Sequence, residues 1–426
     1  MPPAGSNGSN NPGCSRVVPD VRLSVTQTPE EVLMTPPTAS ASALLDLPGA
    51  VQATGHDAGV AAHYGNPMIE QRHLLAGEAI VDLSNRAVLG VSGPDRLTWL
   101  NSITSQELRF LVPGESAETL VLDPTGHIEH AVRLVDDGTE AWLVVEAAEL
   151  PALQAWLDRM RFMLRVELRD RTDEYAVIGT MGSIDDLAGT VPALEPAAPN
   201  GTPLVWHDPW AAVVTGGFQY AEDPEHPGAD WHWSEALVPR TALPAVTLAV
   251  RRGTVRAAGL LALEALRIAA WRPRRATEVD DRTLPHELDW LRSAVHLNKG
   301  CYRGQETVAK VHNLGHPPRR LVLLHLDGSQ GVLPVHGDEV QAVRRLPDGG
   351  TERRGVGTIT ASAIHYELGP IALAVVKRTV PATVVLQVLS AEIAIAATQQ
   401  VIVPQSAGSV AEIPRLPRLG IRTPGH

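Results

Sequence analysis

The sequence predicts an α+β fold that ends in a small antiparallel β-barrel. Between about residues 63 and 319, short apolar runs of the strand type alternate with segments of helical periodicity. From Arg320 onward, short β-branched runs are divided by Gly, Pro and Asp, a pattern typical of a compact all-β unit. A chain of 426 residues is too long for a single core, so we expect two or three packed units.

The individual elements follow from these patterns in chain order. Strands are predicted at residues 79–83, 87–91, 118–122, 128–135, 141–145, 175–180 and 211–215. Helices are predicted at residues 94–101, 150–164, 257–271 and 285–295. The first helix has Pro94 at its first position, and Pro273 ends the third. Loops are predicted at 181–203 and 221–233, and barrel strands at 321–326, 354–360, 371–376 and 383–388.

Both ends of the chain differ in composition from the middle. Residues 1–48 are rich in Pro, Ser, Gly, Asn and Thr, which predicts disorder. Residues 403–426 form a basic tail that contains Arg415, Arg418 and Arg422. The predicted organisation is therefore a disordered extension (1–48), a mixed α/β region (63–319), a barrel (320–402) and the tail.

Charge and cysteine content limit the function classes. The net charge of −12 disfavours a nucleic-acid partner. The two cysteines, Cys14 and Cys301, exclude a disulfide framework. We find no apolar run long enough for a bilayer and no secretory pattern, so we expect a cytoplasmic protein without a membrane partner.

The most informative stretch is the segment 299–306, which we call the signature segment. Its Cys301 stands two residues from Lys299 and two from Arg303, and nearby cations favour the thiolate. Tyr302, Gln305 and Glu306 supply an aromatic face, an amide and a carboxylate, the groups that bind the edge of a flat heterocycle. A structural cysteine in a turn marked by Gly300 and Gly304 explains the same residues equally well.

Other candidate groups are less specific. His312 and His316 are four residues apart, but Gly315 and Pro317 argue against a helix that would bring both to a metal, so solvated loop histidines are the better interpretation. His286 and Glu287 are ambiguous, and no metal site is predicted. An arginine run ends the third predicted helix, where it either complements the helix dipole in solvent or binds carboxylates; its members are Arg267, Arg272, Arg274 and Arg275.

The signature segment, Lys299-Gly-Cys-Tyr-Arg-Gly-Gln-Glu306, resembles the K-G-C-Y-x-G-Q-E signature of YgfZ-type proteins, which are relatives of the glycine-cleavage T-protein. Further blocks that resemble this family occur in the right order, at residues 81–86, 91–104, 262–267, 355–357 and 368–374. The resemblance runs from about His63 to Val388.

The resemblance implies a T-protein-like fold, in which three subdomains surround a central channel that holds tetrahydrofolate. It implies tetrahydrofolate as the cofactor, and iron–sulfur client enzymes or cluster-assembly proteins as partners, because YgfZ-type proteins are tied to the assembly and repair of iron–sulfur clusters. By the same resemblance Cys301 is the essential thiol, and Lys299, Tyr302, Gln305 and Glu306 shape its loop. The residues then expected to contact folate are Trp99, Asn101, Thr104, Arg267, Trp271, Lys299 and Arg303.

Two departures from the T-protein pattern leave the activity open. T-proteins that transfer an aminomethyl carbon carry an acidic pair where this chain has only Glu129 and His130 available for acid–base work. Ala269 stands where many relatives have a carboxylate that contacts the pterin. The hypotheses are a folate-dependent cluster-maturation factor, a one-carbon transferase and a non-catalytic folate-binding scaffold; whether the chain is an enzyme stays open.

Overall fold

The structure is a computed structural model that describes residues 41–411. Its α-helices are α1 (Pro67–Leu75), α2 (Arg96–Ile103), α3 (Leu150–Met160), α4 (Ile184–Thr190), α5 (Leu243–Arg251), α6 (Leu260–Ala269), α7 (Arg275–Glu278) and α8 (Gln305–Asn313). Its strands are β1 (Val51–Gln52), β2 (Ala61–His63), β3 (Ala79–Asp82), β4 (Arg86–Ser92), β5 (Ser116–Leu122), β6 (Ile128–Asp136), β7 (Glu140–Glu146), β8 (Glu167–Asp170), β9 (Tyr175–Thr180), β10 (Val205–His207), β11 (Ser234–Pro239), β12 (Arg256–Ala258), β13 (Arg319–Leu326), β14 (Glu339–Arg345), β15 (Thr351–His365), β16 (Gly369–Lys377), β17 (Val385–Ser390) and β18 (Ile393–Val401). None of these helices is long and apolar enough to cross a bilayer.

The strands form two five-stranded sheets and a closed barrel. One sheet has the order β5-β6-β7-β4-β8 and is antiparallel throughout. The other has the order β10-β11-β9-β3-β12, in which only the β3–β12 pair is parallel. The barrel has the order β13-β16-β15-β14-β17-β18, and β18 returns to pair with β13. The predicted α+β fold with a C-terminal antiparallel barrel is confirmed.

Helix α2 covers the first sheet and positions the signature segment. Its apolar residues Trp99, Leu100 and Ile103 are buried in one cluster with strand residues of that sheet and with Trp156 of α3. This is the helical periodicity that the sequence predicted, displaced by two residues. The α2 helix therefore ends at Ile103 with its last carbonyl groups facing inward, next to the chain that precedes α8.

Three local predictions are wrong, and in the first a tertiary contact overrides the local pattern. The predicted strand at 211–215 is absent: Pro209–Ala211 forms a 3₁₀ turn, and the Arg292 guanidinium binds the carbonyls of Trp210 and Ala211. The predicted loop at 181–203 contains α4, whose N-terminus is capped by Ser183. The predicted helix at 285–295 is instead two 3₁₀ turns on either side of Asp289.

The ends of the described region are ordered beyond the predicted boundaries. Disorder was predicted up to residue 48, but Ala43–Asp46 forms a 3₁₀ turn and buries Leu44 in a core cluster. The tail was predicted to begin at 403, but the Val403 amide donates to the Leu321 carbonyl, and Val403 is buried. The rest of the predicted extension (1–40) and of the basic tail (412–426) lies outside the described residues.

The arginine run joins the two sheets and the barrel. Arg272 binds Glu118 of β5 at 2.5 Å and Asp208, after β10, at 2.9 Å, so it links both sheets. Burial opposes the charge on Arg272, yet the two carboxylates raise its pKa above the usual value. Arg267 binds Glu278 at 2.9 Å, and the other Glu278 oxygen accepts from Thr360 of β15, which extends the network into the barrel.

Replacement of Arg272 tests how strongly this network holds the fold. The Arg272→Met variant leaves Glu118 and Asp208 buried without their cation, and removal of one partner from a buried ion pair costs about 3 to 5 kcal/mol. We expect a loss of that order in the free energy of unfolding, measured by urea denaturation. The matched control is Arg282→Met, because the Arg282 and Asp281 side chains are 76% and 88% exposed; an equal loss in both variants would contradict this account.

Candidate functional site

The signature segment leads into the N-terminus of α8 and packs tightly on the turn between β5 and β6. Gly304 precedes α8 with φ +82°, and a Cβ there would lie 2.6 Å from the Asp123 carbonyl oxygen. Gly126, on the opposite side of the contact, has φ +86°, and a Cβ there would lie 2.9 Å from Cβ of Thr307. Both backbones can approach this closely only because both residues are glycine.

Lys299 fixes the signature segment to the end of α2. Its buried ammonium group donates to the carbonyls of Asn101, Thr104 and Gln106 at 2.6, 2.8 and 2.5 Å. Burial lowers the pKa of Lys299 to about 8, so the group still carries its charge at pH 7. A cation that binds carbonyls at a helix C-terminus also complements the helix dipole. Lys299 is therefore a positioning residue for the loop of Cys301.

Cys301 is a free thiol exposed to solvent. The expectation that its flanking cations activate it is not supported, because both are bound elsewhere. Lys299 binds the three carbonyls, and Arg303 binds Glu129 at 2.7 Å and lies over the Trp156 ring. Tyr302 is buried, and its ring lies 5.3 Å from the Lys299 nitrogen.

The remaining predicted site residues divide into two groups. The Gln305 amide donates to the Lys299 carbonyl at 3.3 Å and so stiffens the loop, whereas Glu306 is exposed. Asn101 and Thr104 meet Lys299 through their backbone carbonyls. Their side chains form hydrogen bonds with nearby backbone groups: Asn101 Oδ1 accepts from the Leu108 amide, and Thr104 Oγ1 donates to the Leu100 carbonyl. Trp99 is a core residue whose indole donates to the Met160 carbonyl, so the structure places it outside the loop contacts.

Arg267 and Trp271, the other expected folate contacts, lie in the centre of the fold and are both buried. Arg267 forms ion pairs with Glu264 and Glu278. The Trp271 ring packs edge-on against the His226 ring, with ring centres 5.1 Å apart. The arginine run is thus no solvated helix end. The carboxylates that bind Arg272, Glu118 and Asp208, are distant from it in the chain, so no local sequence pattern predicted these ion pairs.

The two cavities described at the centre of the fold are small. Two cavities lie there beside Arg272 and Arg274, with volumes of about 10 and 30 Å³. The larger volume is that of a single water molecule in the liquid, about 30 Å³. One oxygen of Glu235 and Nε of Arg133 are buried there without a hydrogen-bond partner among the described residues. These atoms can bind polar groups, and the buried ion pairs of Arg272 and Arg274 lie around them.

Glu129 and His130, the candidates for acid–base work, are held by other charged groups. Glu129 binds Arg303, as described above. The His130 ring nitrogen Nδ1 lies 3.0 Å from the buried Glu149 carboxylate. Arg303 thus occupies the Glu129 carboxylate, whereas Glu149 engages only Nδ1 of His130.

The remaining candidate histidines occupy unlike environments. The prediction of solvated loop histidines is wrong for His312, which lies on α8 and is buried, with Nδ1 2.9 Å from the Tyr220 hydroxyl. His316 lies beyond the helix and is exposed. His286 and Glu287 are buried, and Glu287 binds Arg319 at 2.7 Å. Within residues 41–411, no three His, Cys, Asp or Glu side chains are grouped to hold a metal ion.

A cavity of about 260 Å³ lies beside the signature segment, and we call it the signature cavity. Its walls come from α8, the signature segment and the loop 216–218; the side chains that line it include Phe218, Asn298, Tyr302, Gln305, Ala309, His312 and Asn313. Sequence reasoning missed Phe218, which lies between a predicted strand and a predicted loop. Only the tertiary contact with His312, at 4.7 Å between ring centres, reveals its position.

Asp289 holds the loop that carries Phe218. Its carboxylate accepts from the backbone amides of Tyr220 and Ala221 at 2.6 and 3.4 Å. Burial raises the pKa of Asp289 to about 7, and these two hydrogen bonds only partly oppose it.

Comparison with known structures supports the T-protein-like fold. The crystal structure of the glycine cleavage system aminomethyltransferase T from Bartonella henselae aligns with a TM-score of 0.62 at 18% identity. The alignment covers 84% of this chain and 94% of that protein. The chain therefore has the fold of the glycine-cleavage T-protein.

Sequence comparison gives relatives of two kinds. A putative chloroplastic transferase of Arabidopsis thaliana is 25% identical over 67% of this chain and 66% of its own length. An aminomethyltransferase of Nostoc is 26% identical over 69% of this chain and 76% of its own length. A mitochondrial iron–sulfur cluster assembly factor homolog of Mycosarcoma maydis is 23% identical over 66% of each chain. No protein-family model matches the sequence.

The resemblance stated from the sequence is thus confirmed. The relatives include both aminomethyltransferases and iron–sulfur cluster assembly factor homologs, as expected for a YgfZ-type, T-protein-like chain.

The role of Lys299 as an anchor can be tested by Lys299→Met. This change leaves three buried carbonyls without their charged donor, and one such hydrogen bond contributes about 1.5 to 3 kcal/mol. We expect the free energy of unfolding to fall by about 2 kcal/mol or more, with faster amide hydrogen exchange in residues 299–305. Lys310→Met, on the exposed face of α8, should change neither quantity; unchanged exchange in Lys299→Met would refute the anchor.

The titration of Asp289 predicts a pH dependence of stability. Its folded pKa is about 7 against 3.8 for the free group, so the folded state holds the proton more tightly and stability falls as pH rises from about 4 to 7. The difference corresponds to about 4 kcal/mol. Asp289→Asn should abolish this decline when unfolding is measured by urea at pH 4 and pH 7. The same decline in the variant and in the wild type would contradict the assignment.

Proposed function

We propose that the chain is a tetrahydrofolate-binding factor that acts in the assembly or repair of iron–sulfur clusters in client enzymes, with Cys301 as the essential thiol. The observation that carries the proposal is the position of that thiol. Cys301 is exposed, while the residues on either side of it are fixed by Lys299 and by the Arg303–Glu129 ion pair. A rigid loop that presents one exposed thiol is preorganised to meet a partner protein.

The relatives support the same process. Iron–sulfur cluster assembly factor homologs from Mycosarcoma maydis and Chaetomium globosum align with 66% and 61% of this chain. Their names describe those proteins, and the transfer of that role to this chain is part of the proposal. The partners would then be iron–sulfur client enzymes or other cluster-assembly proteins.

One thiol limits what the chain can do with a cluster. Iron–sulfur clusters in proteins are held by several thiolates, commonly four. Within the described residues Cys301 belongs to no group of three or more potential ligands. We therefore assign Cys301 to a transient contact with a client or its cluster, and the cluster is substrate.

One-carbon transfer, the alternative enzymatic function, has less support. It requires an acid or base beside the folate, and Glu129 and His130 were the residues available for that role. Both are paired, with Arg303 and Glu149 respectively. A general acid or base must be within hydrogen-bond reach of the proton that it moves. Because Arg303 occupies Glu129, the acidic member of this pair is not available, and this favours the maturation factor over the transferase.

Complementation tests the proposal. Cells that lack the chain would be supplied with the wild type, Cys301→Ser or Cys14→Ser, and the activity of an iron–sulfur dehydratase would be compared with that of a cluster-free enzyme. We expect wild type and Cys14→Ser to restore the dehydratase at least tenfold better than Cys301→Ser, because serine keeps the shape of the loop but lacks the thiol.

Each other outcome has a defined meaning. Equal rescue by Cys301→Ser would assign the cysteine a structural role and favour the folate-binding scaffold. Normal dehydratase activity in cells without the chain would reject a role in cluster maintenance.

A further inference from the structure

We propose that the last part of this chain, residues 412–426, docks in the signature cavity through its apolar side chains; we call these residues the terminal segment. The inference goes beyond the proposed function and does not depend on folate binding or on an iron–sulfur client. It rests on where the described chain ends, on the spacing of apolar residues in the terminal segment, and on the charge around the cavity.

The described chain ends on the wall of the signature cavity. The Val410 amide donates to the His312 carbonyl at 2.9 Å. The Ala411 amide donates to the Asn313 carbonyl at 3.2 Å. These bonds satisfy carbonyls at the C-terminus of α8, which have no partner within the helix. Because His312 and Asn313 both line the cavity, the terminal segment begins at its edge.

The terminal segment is long enough to follow the cavity as far as the signature segment. Its residues 413–419 span about 20 Å in a polyproline helix, which rises about 3.1 Å per residue. Helix α8 forms one wall of the cavity and has nine residues, which corresponds to a length of about 13 Å. Residues 413–419 can therefore lie along α8 from Asn313 to Tyr302.

Apolar residues recur at every third position of the terminal segment. Ile413, Leu416 and Leu419 have this spacing, and Pro414 and Pro417 follow the first two of them. Proline favours the polyproline helix, in which three residues complete one turn. In that conformation the three apolar side chains share one edge and can enter a cavity together.

The walls of the signature cavity suit such an edge. The rings of Phe218, Tyr302 and His312 line it, and aromatic-lined grooves bind polyproline segments. Its volume of about 260 Å³ is that of about nine water molecules in the liquid, at about 30 Å³ each. Two four-carbon side chains are of comparable size. Their packing needs no polar group of the wall, so the internal hydrogen bonds of His312 and Gln305 stay intact.

The charge beside the cavity matches the three arginines of the terminal segment. The loop that carries Phe218 continues to Glu222, whose carboxylate accepts from the Ser406 hydroxyl at 3.2 Å, near the end of the described chain. Asp223 and Glu225 follow in the same loop, and none of these three carboxylates forms a salt bridge with a cation of residues 41–411. Exposed ion pairs add little affinity, but they fix the register of a docked segment.

Docking along α8 brings the terminal segment to the loop of Cys301. Tyr302 lines the cavity, and Cys301 immediately precedes it in the chain. The docked segment then forms part of the surface that a partner of the exposed thiol meets.

Disulfide trapping in the full chain tests the proposal. All trapping variants carry Cys14→Ser and Cys301→Ser, which removes both native thiols. The test pair is Leu416→Cys with Ala309→Cys, and the matched pair is Leu416→Cys with Lys310→Cys. Ala309 lines the cavity, whereas Lys310 is its exposed neighbour on α8. A segment that does not dock would react at least as fast with the more accessible thiol at position 310.

Under a mild oxidant we expect the disulfide to form within the chain at least tenfold faster in the test pair than in the matched pair. Addition of Ile413→Asp should remove this preference, because it places a charge on the apolar edge, whereas Ile421→Asp, off that edge, should keep it. Equal or reversed rates would leave the cavity to another occupant and overturn the inference. A disulfide that forms only between two chains, and slows on dilution, would replace it with docking onto a second copy.

Hydrogen exchange provides a second measurement in chains that keep both native cysteines. Leu416→Asp changes no residue of the described region, so the fold around the cavity keeps its sequence. We expect amides of residues 216–218 and 297–302 to exchange severalfold faster in Leu416→Asp than in the wild type or in Ile421→Asp. Identical exchange in all three chains would contradict docking, and neither readout depends on the activity assigned to Cys301.

Discussion

The buried ion pairs of the arginine run hold the three parts of this fold together. Arg272 binds a carboxylate from each sheet, and Arg267 reaches the barrel through Glu278. A buried arginine is stable only where carboxylates meet it with good geometry, so the pairs fix how the sheets and barrel pack. The same pairs occupy the middle of the molecule, where the family resemblance implies a ligand. The ion pairs that stabilise the fold therefore lie where the resemblance implies the ligand.

The candidate site depends on a second buried cation. Lys299 binds three carbonyls at the end of α2 and thereby fixes the position of the loop that carries the exposed thiol of Cys301. Tyr302 and Gln305 connect this segment to the wall of the signature cavity. The arrangement favours a protein that presents one thiol over an enzyme with a free acid–base pair, because Glu129 is already paired with Arg303.

The sequence predicted those features whose signal is local. The alternation of strands such as β6 and the β-branched runs of the barrel indicate half-buried strands wherever they occur. The signature segment was found because its eight residues are contiguous. By contrast, Glu118 lies 154 residues before Arg272, and no local pattern pairs them. The predicted strand at 211–215 was wrong for the same reason, since Arg292 determines its conformation from a distant part of the chain.

The central claim is that the Cys301 thiol acts directly on iron–sulfur clients, and chemical blockage tests it most directly. Purified Cys14→Ser chain, either native or alkylated at Cys301, would be added to an extract of cells that lack the chain, and recovery of iron–sulfur dehydratase activity would be followed. The account predicts recovery with the native protein and none with the alkylated protein. Equal recovery with both would contradict it, since the anchored loop would then act without its thiol.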